Sequence, residues 1–396
     1  MNSKNGLIII LLLIGLCSLG CEQEKEESLF DPDYLSDHSP VITAMSPLDS
    51  ALAGIVEITI SGQNFSPQVE NNFVYFDKTK AEVLEASETQ LKVQSPNVVE
   101  DAMMVKVAVF GAVSFSNLMP YKLVRGVGEY GGFGNFDDIY VVECDKEENL
   151  YVALGSRKIL KIAPDETVTE YGTTAFPLFS TMKFGPDGYL YIGRLIKAIY
   201  RIPPGGGAAK KWISMPDNVY DFDFSDNGML YVSGKGDSLY LVKPDESVIG
   251  VAAYPDTYIK AVRIFNGYVY VGGRDNATDR EFIWRNQILG DNSVGENELY
   301  FDWSANVDET SEILSMTFSA DGEMFVGTDA EAGIINVHSD GTFEPLYPGV
   351  LEPETYSMAW GNGFFLYIAR RNDDTTKRRV IKINMLTDGA PYYGRP

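Results

Sequence analysis

The sequence predicts an all-β protein with two folded parts, a small N-terminal β-sandwich and a six-bladed β-propeller. Three observations carry this reading. A short phrase, an apolar strand, a turn built on Asp-Gly or Asn-Gly, and a second strand close to Leu-Tyr-Val-small, recurs six times at a spacing of about 40 residues. Upstream of it, residues 40–124 alternate apolar and polar positions in short strands separated by turn clusters. Between the two, residues 127–131 (VGEYG) echo residues 168–172 (VTEYG), the fourth strand of the first repeat.

The copies read VVECDKEENLYVALG (141–155), TMKFGPDGYLYIGR (181–194), DFDFSDNGMLYVSG (221–234), AVRIFNGYVYVGG (261–273), SMTFSADGEMFVGT (315–328) and SMAWGNGFFLYIAR (357–370). One copy is too small to bury its own apolar face, so neighbours must stack around an axis to make a core. A third strand follows each hairpin, as KILKI (158–162), AIYRI (198–202), SLYLV (238–242), FIWRN (282–286), GIINV (333–337) and VIKIN (380–384). The sixth repeat has no fourth strand of its own after Asn384. Residues 127–131 are expected to supply it and remove an open sheet edge, with Tyr392 and Tyr393 as the competing candidates. Residues 125–396 therefore read as the propeller.

The N-terminus reads as a leader. Lys4 precedes an apolar run from Leu7 to Leu16, too short to span a bilayer and of the length of a signal h-region. Ser18-Leu-Gly-Cys21 follows and resembles the bacterial lipobox, with Ser18 where Leu is usual. The resemblance implies a lipoprotein signal peptide at residues 1–20 and a lipidated Cys21. Residues 21–39 form an acidic linker, whose Glu22-Gln-Glu-Lys-Glu-Glu27 resembles the surface-export signal of Bacteroidetes lipoproteins. The expected location is the outer membrane, surface-exposed, with a periplasm-facing lipoprotein as the alternative. Cys17 leaves with such a leader, so Cys144 remains as a small buried hydrophobe.

Residues 40–124 resemble the IPT/TIG family of immunoglobulin-like domains. The resemblance rests on Pro40-Val-Ile-Thr-Ala-Met-Ser-Pro47, Val56-Glu-Ile-Thr-Ile-Ser-Gly62-Gln-Asn-Phe65, Asn72-Phe-Val-Tyr-Phe76 and Leu91-Lys-Val-Gln-Ser-Pro96. It implies a spacer or interaction module without an active site. Gly62 and Asn64 suit a tight turn before Phe65, whose ring should plug the sandwich.

With 32 basic and 56 acidic side chains the chain carries a formal charge of −24. This balance argues against nucleic acid as a partner and makes Ca²⁺ a reasonable ligand without locating one. Functional positions are expected on the face where strand four joins the next strand one and strand two joins strand three. Aromatic residues concentrate there: Phe136, Phe179, Tyr220, Tyr258, Trp303 and Tyr356. Such rings stack on sugars, although each of them would equally fill a wedge between blades. Basic residues recur just after strand two, at Arg194, Lys235, Arg274, Arg370 and Arg371, and would suit an anionic ligand such as a uronate-containing glycan or pair with nearby acidic loops.

One residue before the core position of strand one, successive blades carry Glu143, Lys183, Asp223, Arg263, Thr317 and Ala359. Buried charge is costly unless paired, so alternation predicts ion pairs stitched between inner strands. Asp221, on the same face as Asp223, and the Asp137-Asp138 pair entering strand one of the first blade are the candidate cation or catalytic positions. Six-bladed enzymes of the gluconolactonase and senescence-marker family hold a divalent metal at the channel mouth, and this chain resembles them only in the blade pattern, so no metal ligand is carried over.

Only two histidines occur, His38 and His338, and neither can anchor a channel site. That removes most imidazole-based nucleophile and zinc schemes. The blade consensus resembles NHL-type propellers, and leader, IPT/TIG domain and propeller together resemble Bacteroidetes cell-surface proteins that capture glycans or other ligands. The expected function is binding of an extracellular ligand, a glycan first, at the channel mouth. A metal-dependent lactonase or esterase and a protein scaffold of an outer-membrane transporter complex are the alternatives.

Overall fold

A computed structural model describes residues 39–395, and the leader, Cys21, His38 and most of the acidic linker lie outside the described residues. In the N-terminal part, Val41–Ser46, Glu57–Gln63, Gln90–Gln94 and Thr79–Ala86 pair in that order. Thr79–Ala86 also pairs with Asn72–Phe76, which pairs with Glu100–Val109. The one strand thus belongs to two sheets, with residues 79–81 facing one partner and residues 82–86 the other. This is how a short chain turns the corner of a sandwich. Strict alternation sets the core: Ile58, Ile60, Val74, Phe76, Leu91, Val93, Val105 and Val107 are all fully buried, and their sequence neighbours face outward.

Phe65 is buried as the plug of this sandwich. Asn64 adopts the left-handed conformation (φ 61°) that the preceding turn needs. Gly62 is required for a different reason: a Cβ there would lie 2.1 Å from the Val41 carbonyl oxygen and 2.4 Å from the Phe65 ring.

The remaining described chain forms six sheets. Their first strands are Ile139–Cys144, Thr181–Phe184, Val219–Phe224, Thr257–Phe265, Ile313–Phe318 and Thr355–Trp360, and each pairs antiparallel with the strand that follows it. Both faces of these inner hairpins are covered by neighbouring blades, so their residues are almost continuously buried rather than alternating. Each first strand touches those of the adjacent blades, and the sixth touches the first, so the ring is complete.

Closure is made by hydrogen bonding. Val127–Glu129 pairs antiparallel with Arg379–Asn384 and becomes the outer strand of the sixth blade, as the echo of the first repeat predicts. Tyr392 and Tyr393, the competing candidates, do something else. Residues 388–395 cross the end of the channel where the first strands finish: Ala320 N–H donates to Asp388 O (2.8 Å) and Ala390 N–H to Phe318 O (3.0 Å). The Tyr392 hydroxyl lies within hydrogen-bonding distance of Cys144 O (2.7 Å) and Trp360 O (3.0 Å), which ties blades one and six together. The Tyr393 ring rests on Phe224, with centroids 5.6 Å apart. Gly389 is needed because a Cβ would meet the Trp360 indole at 2.3 Å.

The tail thus closes one end of the channel. Replacing Tyr392 by Phe should cost about 1–3 kcal/mol, because the one phenol proton shared by two buried carbonyls is lost. The check is urea unfolding of the variant against the parent chain, and an unchanged midpoint would show that the tail is only laid on the ring.

Candidate functional site

Along the channel axis the inner strands place a belt of charge in the apolar ring. Glu143 is fully buried, Lys183 Nζ stands 3.1 Å from its Oε2, and neither Glu143 oxygen accepts a hydrogen bond from the protein. Arg263 pairs with Asp221 rather than with Asp223, at 3.1 Å from NH1 to Oδ2. Asp221 is then saturated, since it also accepts from Thr181 Oγ1 (2.6 Å) and Val262 N–H (2.9 Å). Asp223 accepts from Ile264 N–H across the blade boundary (3.0 Å). Ion pairs therefore join blade one to two and three to four, and the Thr181 hydroxyl joins blade two to three through Asp221. Serines do the same work with neutral groups elsewhere, as Ser315 Oγ donates to Thr355 O (3.2 Å) and Ser357 Oγ accepts from Val142 N–H (3.2 Å).

The belt is electrically strained by its burial. Burial pushes the Glu143 carboxyl from an ordinary 4.5 up to about 7, against the pull of Lys183 and Arg263. Burial also raises Asp223, again against Lys183 and Arg263. Tyr392 lies beneath the belt, with Lys183 Nζ 5.2 Å from its ring centroid.

The other end of the channel, where the first strands begin, is lined by tyrosines. Tyr220 and Tyr258 meet edge to face with centroids 4.7 Å apart. On the opposite side Arg371 lies over Tyr140, 4.0 Å from its centroid, and reaches the Tyr356 ring at 5.6 Å. Burial lifts the Tyr356 phenol above its usual range, opposed by Arg371, so the hydroxyl stays a neutral donor and acceptor at physiological pH. Beside this cluster, from blade four through blade six to blade one, lies a set of ion pairs. Lys260 joins Glu281 (2.7 Å) and Glu312 (2.9 Å), Arg274 reaches Asp279 (3.2 Å) and Glu312 (3.6 Å), Arg370 reaches Glu352 (3.0 Å), and Asp138 holds Arg378 and Arg371 (3.5 Å).

Several sequence-based expectations about single residues are corrected. Trp303, expected at the mouth, is 0% exposed, and its indole N–H donates to Ser311 Oγ (3.0 Å). Phe179 is 2% exposed and packs against Tyr140 and Phe176. Both rings fill wedges between blades, where apolar area is worth more than at a wet rim. Phe136 is the opposite case, 102% exposed on its loop. Tyr220, Tyr258 and Tyr356 are half-buried at the mouth. Arg194 lies over the Phe176 ring at 4.4 Å, while Arg274 and Arg370 are neutralised by the pairs above.

The four aspartates do not make the cation site expected of them. Asp221 faces three protein donors, Asp223 bonds backbone amides, Asp138 is held by arginines, and Asp137 Oδ2 accepts from Gly134 N–H (2.8 Å). Among the described residues no group of three or more His, Cys, Asp or Glu side chains is arranged to hold a metal ion. Sequence reasoning missed Tyr140, Lys260, Glu281 and Glu312. Tyr140 and Lys260 stand at irregularities where the pairing of strands one and two shifts register, so the repeat alignment assigns them no facing position.

The belt yields a pH prediction. The folded pKa of Glu143 lies above its unfolded value, so the native chain binds more protons than the unfolded one between pH 4.5 and about 7, and stability falls as pH rises through that window. Glu143→Gln should flatten the dependence of unfolding free energy on pH in this range, leaving the slope of the same sign from Asp223, Glu281 and Glu354, whose carboxyls burial also raises. An unaltered slope would mean that Glu143 is not the group being titrated.

Residues 40–122 match the family model of the IPT/TIG domain. No curated protein sequence matches the chain. Among solved structures, an auxiliary nutrient binding protein from Bacteroides thetaiotaomicron VPI-5482 is similar at 12% identity and a TM-score of 0.52, over 89% of this chain and 98% of that one. A second auxiliary nutrient binding protein, from Bacteroides ovatus ATCC 8483, is similar at 13% identity and 0.51, over 89% and 99%. A luciferin-regenerating enzyme is similar at 14% identity and 0.53, over 68% and 99%. At these identities the likeness is one of fold, and it includes both binders and an enzyme. The described chain is therefore an IPT/TIG domain at residues 40–122 followed by a six-bladed β-propeller, similar in fold to the two Bacteroides proteins.

Proposed function

We propose that this chain is an extracellular ligand-binding protein that takes a glycan at the open mouth of the propeller, with the IPT/TIG domain as spacer and Cys21 as lipid anchor. The observation that carries the reading is the asymmetry of the channel. One end is closed by the chain's own residues 388–395, and the other presents Tyr140, Tyr220, Tyr258 and Tyr356. Tyr220, Tyr258 and Tyr356 are half-buried and offer an apolar face for the C–H side of a sugar and a hydroxyl for its polar edge, at little conformational cost, while Tyr140 is buried beneath Arg371. The exposed Phe136 adds a further ring on the rim of the same end. The naming of two structural neighbours as auxiliary nutrient binding proteins supports the same class of function.

Binding without cleavage fits what the mouth contains. Four of its carboxylates are engaged: Asp138, Glu281, Glu312 and Glu352 each hold a cation, while the half-buried Glu354 beside them is raised by its burial. A general acid or base drawn from this set would first have to leave its ion pair. The decisive experiment is calorimetric titration of the protein with a panel of neutral and acidic polysaccharides, read alongside reducing-end release. Saturable binding with no new ends supports the proposal. Chelator-sensitive hydrolysis of a lactone or ester would replace it with the enzymatic alternative, and silence across the panel would remove it.

Two further outcomes are expected. Tyr356→Ala and Tyr258→Ala should each weaken the bound glycan by about tenfold, from the loss of roughly 0.5–1.5 kcal/mol of ring contact and the apolar area it covers. For the anchor, which rests on the resemblance of Ser18-Leu-Gly-Cys21 to a lipobox, Cys21→Ala should move the protein from the membrane fraction to the soluble one. Protease treatment of intact cells then separates a surface-exposed from a periplasm-facing anchor.

A further inference from the structure

We infer that the mouth contains an anion subsite on the side of blades two and three, built from Arg194 and Lys235 around the Tyr220–Tyr258 pair, and that it receives the carboxylate of an acidic sugar. The inference deepens the glycan reading and rests on it. It comes from sorting the cations of the mouth by their partners. Lys260, Arg274, Arg370, Arg371 and Arg378 all lie on or beside blades four, six and one, and each is matched by a carboxylate. Arg194 and Lys235 follow the second strands of blades two and three, and among the described residues neither has a carboxylate within ion-pair distance. What they have are rings, Phe176 at 4.4 Å from the Arg194 guanidinium carbon and Tyr258 at 5.8 Å from Lys235 Nζ.

The loops that carry these residues are linked through the backbone. Ile196 N–H donates to Arg194 O (2.5 Å), and Ile196 O accepts from Val219 N–H (3.1 Å), next to Tyr220. Tyr220 meets Tyr258, over which Lys235 lies. The Lys235 backbone N–H donates to Asn218 O (3.0 Å). Leu178 and Leu195, 48% and 44% exposed, belong to the same loops and give the site an apolar rim. The acids in these loops are Asp217, Asp237 and the exposed Asp256, two residues before Tyr258. Asp217 is already engaged by the Tyr240 hydroxyl (2.5 Å) and approached by Lys197 (3.9 Å), and Asp237 is exposed to solvent two residues beyond Lys235.

The energetics favour a ligand carboxylate here over any other quarter of the mouth. An anion approaching Arg274 or Arg370 would have to displace a resident carboxylate and gain only the difference between two similar pairs. At Arg194 and Lys235 it makes new charge-assisted bonds, and the planar guanidinium can grip both oxygens. The ring under each cation also holds the side chain in place, which reduces the entropy lost on binding. In a chain of charge −24, long-range attraction for a polyanion is absent, so recognition must be local and short-ranged.

The test uses the full chain with polygalacturonate as the acidic probe and dextran as the neutral one, titrated calorimetrically at low and high NaCl. The expected result is that polygalacturonate binds, that added salt weakens it, and that Arg194→Ala with Lys235→Ala lowers its affinity at least about tenfold while the thermal midpoint is unchanged. Arg194→Lys should recover only part of the loss, because a point charge cannot replace a bidentate grip. Polygalacturonate binding that the double variant leaves intact overturns the subsite. So does a preference for dextran, in which case glycan binding at the mouth stands without it. Binding of neither polymer, nor of any glycan in the wider panel, overturns the functional reading as well.

Discussion

The pairing of Val127–Glu129 with Arg379–Asn384 is the constraint on which the rest of the propeller depends. A blade with an open edge would expose unpaired amides and carbonyls, and a ring with one loose sheet would leave the inner strands of two blades facing water. The pairing joins residues far apart in the chain, so it also converts six local hairpins into one cooperative body. Once the ring is shut, its inner strands converge on an axis, and whatever side chains they carry there are buried together.

That convergence explains the belt of charge. Glu143, Lys183, Asp221, Asp223 and Arg263 would be unremarkable on a solvated strand, yet in the ring they are all nearly or fully buried. A buried pair adds little net stability over apolar residues of the same volume, but breaking one is costly, so such pairs penalise wrong neighbours. In a repeat protein whose blades are otherwise alike, this device sets which blade follows which. The apolar contacts cannot do so, because Leu150, Leu190, Leu230 and Met324 occupy equivalent buried places.

The belt and the tail also shape the surface available for function. Between Tyr392 below and the tyrosines above, the channel is filled with structural charge, so a ligand meets the mouth rather than a pore. The mouth is uneven: blades four, six and one present cations already matched to acids, and blades two and three present cations matched to rings. This unevenness is where the six-fold repeat stops being symmetric and becomes specific.

Much of this was legible in the sequence. Apolar alternation and turn chemistry are local, so the strands, blade count, sandwich and ring-closing strand followed from residues near one another or from the echo of VTEYG in VGEYG. The charge alternation at Glu143, Lys183, Asp223 and Arg263 was also visible, because a repeat makes equivalent positions comparable. What the sequence could not settle is which aromatic or charged side chain reaches solvent. Trp303 and Phe179 look like Tyr258 and Tyr356 in composition and spacing, and only packing against neighbouring blades buries the first two. Likewise Arg274 and Arg194 are equivalent in the repeat, but Glu312, from the next blade, neutralises one and nothing corresponding reaches the other. Exposure and pairing depend on residues brought together by the ring, so the tertiary structure alone decided them.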